Sequence, residues 1–87
     1  MTLREELTPV IDEMAQLRDE IRVRLHLGGM DARDEWYRLE ERVDAVELTV
    51  ERAADDAAEA TRGLVHELRR SLRSFRDRLV QIETRPL

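Results

Sequence analysis

The chain has 87 residues, no cysteine and a formal net charge of −5, with 40% charged and only 3% aromatic residues. A chain of this length forms at most one small domain, and its high charge leaves little apolar material for a large core. Without cysteine it has neither disulfides nor thiolate chemistry, and no apolar run reaches the roughly 18 residues that would cross a bilayer.

Apolar residues near the start of the chain recur at alternating steps of four and three, which is the spacing of one helix face. They are Leu3, Leu7, Val10, Met14, Leu17 and Ile21. Thr2 and Glu5 have the spacing of a capping box, but Pro9 is costly inside a helix and well tolerated at its first position. We therefore predict a helix over residues 9–27, with residues 2–8 as a frayed or kinked extension.

Gly28 and Gly29 predict a tight reversal after this helix, because glycine readily adopts the left-handed conformation that closes a last turn. Asp31 is then placed to cap the next helix. Trp36 and Tyr37 follow soon after, and we interpret them as packing residues at the closed end of a hairpin. A ligand-stacking role is the alternative for this pair.

The same apolar spacing continues through residues 36–64 and resumes in a shifted register over residues 65–82. The shift lies at Gly63, and a glycine inside a helix costs about 1 kcal/mol relative to alanine. No capping residue follows Gly63, so the pattern favours one uninterrupted helix.

We therefore predict a second helix over residues 31–83, ended by Pro86 and bent, if anywhere, at Gly63. The alternative is a complete break at Gly63, which would let residues 64–83 fold back as a third helix.

The short first helix covers only the near part of the long second one, so the apolar stripe beyond about residue 53 needs a partner from another chain. Residues 1–61 carry a net charge of −9 and residues 62–87 a net charge of +4. An antiparallel pair of copies, with a two-fold axis near residue 65, places these acids opposite these arginines.

The predicted fold is therefore all-α: a helical hairpin with a short first helix and a very long second helix, forming an antiparallel coiled coil or a four-helix bundle on dimerisation. The predicted dimer interface comprises Val50, Ala53, Ala57, Ala60, Leu64, Val65, Leu68, Leu72, Phe75, Leu79 and Ile82.

No motif predicts catalysis, a cofactor or a metal. His26 and His66 lie far apart, no Glu-x-x-His occurs, and adjacent acids on a helix point away from each other. The chain also lacks a Gly-rich phosphate loop and a nucleophile elbow. We expect a non-enzymatic protein with no catalytic, cofactor-binding or metal-binding residues.

Residues 62–78 form a basic segment with an apolar stripe. Its arginines could lie on an anionic membrane surface or on a phosphate backbone, although the acidic chain disfavours nucleic acid. We prefer the interpretation that they face an acidic partner helix. Binding of anionic surfaces is the alternative function, and its candidate residues are Arg69, Arg70, Arg73, Arg76 and Arg78.

The run "DEIRVRLHLGGMDARDEWYRLEERV", residues 19–43, resembles a pattern of small uncharacterised bacterial coiled-coil and helical-hairpin proteins. The resemblance implies a helical, bacterial, non-enzymatic and stress-associated protein, and it carries over no functional residue. With no basic region and apolar run at the start of the chain, we expect a cytoplasmic location. The expected function is a self-associating assembly or adaptor module, either a homo-oligomer or a binder of an unidentified protein.

Overall fold

The computed structural model describes residues 1–85, which form three helices lying side by side, with no strand among them. The helices are α1 (Leu3–Arg24), α2 (Gly29–Arg52) and α3 (Ala58–Thr84). Short 3-10 turns, Leu25–Leu27 and Asp55–Ala57, follow α1 and precede α3. The bundle measures 51 × 21 × 16 Å. The prediction of an all-α fold is confirmed.

α1 begins at Leu3 rather than at residue 9, because Thr2 caps it. The Thr2 hydroxyl oxygen accepts a hydrogen bond from the Glu5 backbone N–H at 3.1 Å, which satisfies one free donor of the first turn. Pro9 lies inside the helix without ending it, and Leu7 is buried beside it. The predicted frayed extension is therefore wrong.

The chain reverses at Gly28 and Gly29, as predicted. Gly29 has a φ of +74°, a left-handed conformation that favours glycine. A Cβ on Gly28 would overlap the Cβ of Ala32 in α2 and lie 3.1 Å from the Leu79 side chain of α3, so this tight position requires glycine. The prediction that Asp31 caps α2 is wrong, because α2 begins at Gly29 and Asp31 lies in its first turn.

The prediction of one helix over residues 31–83 is also wrong. The chain leaves the helical conformation at Ala53 and Ala54, whose ψ angles are 128° and 164°. Gly63, the expected site of a bend or break, lies within α3 and is exposed. The third helix of our alternative therefore exists, but the break precedes it at residues 53–57. The prediction that Pro86 ends the last helix lies outside the described residues.

Folding back allows α3 to bury its apolar stripe against the other two helices, which is the physical reason for the break. This stripe begins at Thr61, whose hydroxyl donates to the Ala57 carbonyl at 2.9 Å. The buried face of α3 therefore runs through Thr61 and Val65, whereas Ala60 and Leu64 are exposed. All buried hydrophobic residues belong to the predicted stripes: Leu7, Met14, Leu17, Ile21, Trp36, Leu39, Val43, Val50, Val65, Leu68, Leu72, Phe75 and Leu79.

The residues predicted for a dimer interface lie mostly inside the single chain. Those buried are Val50, Val65, Leu68, Leu72, Phe75 and Leu79, while Ala53 and Ala57 are half-buried and Ala60, Leu64 and Ile82 are exposed. The premise that the stripe beyond residue 53 has no partner in its own chain is wrong, because α3 packs on α1 and α2. The apolar residues of α3 therefore do not require a second chain to cover them.

Trp36 and Tyr37 have different surroundings. Trp36 is only 3% exposed, and its ring stacks on Phe75 of α3 with the ring centroids 6.0 Å apart. Tyr37 is 64% exposed, so the interpretation of Tyr37 as a packing residue is wrong. On a helix, adjacent residues point in different directions, which explains why only one of the two reaches the core.

Candidate functional site

Acidic side chains of α1 and arginines of α3 form an ion-pair ladder along the contact between these helices. Its rungs are Arg62–Glu6, Arg69–Glu13 and Arg76–Glu20. The partners of every rung are 56 residues apart, a whole number of heptads. A constant separation means that α1 and α3 run parallel in a fixed register.

These ion pairs alter the acid–base properties of α1. The hydrogen bond from Arg62 lowers the pKa of Glu6 below its ordinary value. A hydrogen bond from Arg73 likewise lowers the pKa of Glu13, to which Arg69 also contributes. Both carboxylates are therefore better held ionised in the folded chain than in the unfolded one.

Most of the arginines predicted to bind anionic surfaces are engaged within the chain. Arg69 and Arg73 pair with Glu13, Arg76 pairs with Glu20, and Arg78 pairs with Glu35. The arginines do face an acidic helix, but for three of them it is α1 of the same chain. Arg70 differs from the others, since it makes no ion pair with any residue in the range 1–85.

The three contacts between helices differ in how their charges are paired. α1 and α2 are joined by Arg4–Glu51, Arg18–Glu47 and Arg22–Glu40. Over the described residues, Arg78–Glu35 is the one ion pair that joins α2 to α3. The α2–α3 contact therefore carries fewer ion pairs than either of the other two contacts between helices.

An open groove of about 430 Å³ lies between α2 and α3. Arg38 and Arg42 line it from successive turns of α2, and Arg70 lines it from α3. All three are exposed, and none makes an ion pair within the described part of the chain. Four arginines and two glutamates line the groove, so its wall is positive although the whole chain carries −5.

The floor of this groove is apolar and its depth comes from small side chains. Leu39 is 6% exposed at the base, and Ser71 and Ser74 stand where longer side chains would fill the space. A second pocket of about 230 Å³, beside Phe75, shares Glu35 and Arg78 with this groove. The site is thus elongated along the helices rather than closed around a small molecule.

Arg78 is held in place at the boundary between these two depressions. Its guanidinium pairs with Glu35 and lies 5.2 Å from the centroid of the Phe75 ring. A cation over an aromatic face is attracted to its electrons, so Arg78 is positioned from both sides. Arg38, Arg42 and Arg70 have no such partner among residues 1–85.

Sequence reasoning did not identify Arg38 and Arg42 as site residues. The available signal was their spacing of four, which places them on one face of a helix. A second signal was that Arg62, Arg69 and Arg76 share a heptad position that Arg70 does not share. The prediction grouped five arginines by their closeness in the sequence, and this grouping used neither of the two spacings.

Over residues 1–85, no three metal-ligating side chains come together, and no helix there has the length and apolar character to cross a bilayer. Comparison of the chain with protein-family models, with curated proteins and with solved structures finds no match. The resemblance of residues 19–43 to bacterial helical-hairpin proteins therefore stays a prediction.

Proposed function

We propose that the protein is a non-enzymatic interaction module that binds an acidic amphipathic helix of a partner protein in the α2–α3 groove. The observation that supports this most directly is a set of three exposed arginines around an apolar floor that make no ion pair in residues 1–85: Arg38, Arg42 and Arg70.

The shape of the groove suits a helix. A groove between two antiparallel helices accepts another helix, which lays its apolar face along the floor and completes a four-helix arrangement. Leu39 supplies the apolar floor of the groove, and the small side chains of Ser71 and Ser74 leave room above it.

The charge of the groove specifies an acidic partner. Like-charge contacts are unfavourable, so a symmetric contact between two copies through this groove would oppose arginine with arginine. The glutamates of an acidic helix would instead pair with these arginines. The α1–α3 ladder is an example of such pairing within the chain, with glutamates of α1 at heptad spacing beside arginines of α3.

Anionic lipid and nucleic acid are weaker candidates for this groove. Both are extended polyanions, whose charges would also lie close to acidic side chains near the arginines and be repelled by them. These acids are Glu67 in the same groove and Asp31 in the adjoining pocket. Four of the five arginines predicted to bind an anionic surface form ion pairs within the chain.

The proposal is tested with a synthetic amphipathic peptide that has leucines on one face and glutamates at heptad spacing beside them. A matched peptide replaces each glutamate with glutamine. Calorimetry at low salt should show binding of the acidic peptide and at least roughly tenfold weaker binding of the neutral one. Amide chemical-shift changes should fall on residues 35–42 and 67–78.

The variant Arg42→Gln/Arg70→Gln should weaken binding of the acidic peptide by roughly tenfold, since two partly exposed ion pairs are worth up to about 1 kcal/mol each. Arg33→Gln/Arg85→Gln removes the same charge from positions outside the groove and should change binding by less than about twofold. Absence of peptide binding, or equal losses in both variants, would overturn the proposal. Binding of phosphatidylserine vesicles or duplex DNA in place of the peptide would favour the anionic-surface function instead.

A further inference from the structure

We propose that this chain also forms a domain-swapped dimer, in which α2 and α3 join into one helix and α3 packs on α1 and α2 of a second copy. The inference rests on the segment between α2 and α3, residues 53–57, which we call the link. It is independent of which partner occupies the α2–α3 groove.

The link is one small rearrangement away from being helical. Its sequence, Ala-Ala-Asp-Asp-Ala, contains no glycine or proline, and alanine is the strongest helix former. Within the link, Ala53 and Ala54 have extended backbone angles, whereas Asp55–Ala57 already form a 3-10 turn. Within residues 1–85, no side-chain cap fixes the start of this turn or of α3. Two backbone hydrogen bonds close the turn, from Ala57 N–H to the Ala54 carbonyl at 2.9 Å and from Ala58 N–H to the Asp55 carbonyl.

The apolar pattern of the sequence also runs through the link without a gap. After Val50, the positions expected on one helix face are occupied by Ala53, Ala57 and Ala60, and then by Leu64. The sequence therefore supports a continuous helix at the point where the monomer breaks it, and the break is maintained by the packing of α3 against its own chain.

The packing of α3 on α2 has the symmetry that a swapped dimer needs. Trp36 stacks on Phe75, and Glu35 pairs with Arg78. The midpoint of the first pair lies between residues 55 and 56, and that of the second between residues 56 and 57, so both fall in the link. Two straightened chains related by a two-fold axis at the link recover the same contacts between copies. The core and the α1–α3 ladder are thus preserved.

The acids of the link favour the monomer. In the monomer, Asp55 and Asp56 lie at the amino-terminal end of the α3 segment, where the helix dipole stabilises negative charge. In a continuous helix, Asp55 instead lies four residues from Glu51 and four from Glu59, which places like charges on adjacent turns. Removing these two acids should therefore shift the balance towards the dimer.

The first experiment measures mass by light scattering during size exclusion, from micromolar to millimolar protein. Asp55→Ala/Asp56→Ala should raise the dimer association constant at least roughly tenfold over the natural chain. Glu41→Ala/Asp44→Ala is the matched control, because it removes the same charge from exposed positions of α2 that make no ion pair in residues 1–85. Small-angle scattering should give the dimer a helix of about 84 Å, against a monomer length of 51 Å.

The second experiment distinguishes a swapped dimer from two monomers that associate side by side. The chain has no cysteine, so Glu13→Cys/Arg69→Cys in the Asp55→Ala/Asp56→Ala background introduces one reactive pair across the α1–α3 contact. A short bis-maleimide should link this pair between copies in the isolated dimer, and denaturation should then leave covalent dimers. Cross-linked monomers would overturn the proposal.

Ala54→Pro supplies the opposite perturbation. Ala54 has a φ of −81° and Ala53 is extended, so proline fits the link of the monomer but not a continuous helix. The dimer of the Asp55→Ala/Asp56→Ala variant should disappear when Ala54→Pro is added. A dimer that persists with proline at position 54, or an Asp55→Ala/Asp56→Ala chain that stays monomeric at millimolar concentration, would refute the swap.

Discussion

Replacing Gly63 with alanine should stabilise the protein. Gly63 lies in the interior of α3 and is exposed to solvent. A Cβ built at this position meets no atom of residues 1–85 within 4 Å, so the added methyl group neither clashes nor packs there. The effect of Gly63→Ala is therefore that of helix propensity alone, without a packing contribution.

The expected size follows from the difference between glycine and alanine within a helix. Glycine costs about 0.5–1 kcal/mol because it loses more backbone freedom on folding. In a domain of this length, 1 kcal/mol moves the midpoint of thermal unfolding by about 4–8 °C. Gly63→Ala should accordingly raise the free energy of unfolding by up to about 1 kcal/mol and the midpoint by about 2–8 °C.

Urea and thermal unfolding followed by far-ultraviolet circular dichroism provide the measurement, with an unchanged dependence on urea expected. Gly29→Ala is the matched control, because the φ of +74° at Gly29 makes a side chain there cost about 1–2 kcal/mol. The two variants should move stability in opposite directions. A destabilised Gly63→Ala chain would show that Gly63 bends α3 or lies against another chain, and the reasoning would then be wrong.

Three further predictions concern the ion-pair ladder, the core and the glycine turn. Glu6→Gln/Glu13→Gln should lower the free energy of unfolding at neutral pH and make it fall less steeply as the solution is acidified. The folded pKa values of both glutamates lie below the unfolded value near 4.5. Their stabilisation is therefore present above that value and is lost as the pH falls through the folded pKa values. Urea unfolding across this pH range provides the measurement, with Glu41→Gln as the control because Glu41 is exposed and makes no ion pair in residues 1–85. Phe75→Ala should cost about 3–5 kcal/mol and shift the emission of Trp36 to longer wavelength, because Phe75 is buried against that ring; a loss below about 1 kcal/mol would contradict this packing. Gly28→Ala should cost about 1–3 kcal/mol because its methyl group would overlap the Cβ of Ala32 and press on Leu79, and unfolding measurements that show no loss would mean that the turn relaxes freely.

The buried face of each helix could be predicted from the sequence, because burial requires a regular spacing of apolar residues. All the buried hydrophobic residues, from Leu7 to Leu79, lie in the predicted stripes. The position of the break could not be predicted in this way. Alanines occupy the expected face through the link, so the spacing remains intact where the chain turns. Local propensity favours helix there, and tertiary packing of α3 overrides it.

The candidate site was harder to predict than the core, because it consists of charges that remain unpaired after folding. Which arginines remain unpaired depends on the register between the helices. That register depends on the position of the break between α2 and α3, which the sequence pattern did not predict. Arg69 and Arg76 lie on the α1 side of α3 and meet glutamates, whereas Arg70 lies on the other side and meets none in the described chain. Heptad positions separate these two groups, but only once α3 is known to lie parallel to α1.

The two proposals make a joint prediction about how the groove and the link affect each other. In the monomer, Arg38, Arg42 and Arg70 come from one chain, whereas in the swapped dimer Arg70 of one copy lines a groove with Arg38 and Arg42 of the other. The contacts between α2 and α3 are the same in both forms, so an acidic helix should bind each groove equally well. A ligand with equal affinity for two states does not change their ratio. The acidic peptide should therefore leave the fraction of dimer unchanged, and Ala54→Pro should alter the dissociation constant of the peptide by less than about twofold. A rise in the dimer fraction when the peptide is added would mean that straightening the link reshapes the groove, and binding and assembly would then be coupled rather than separate.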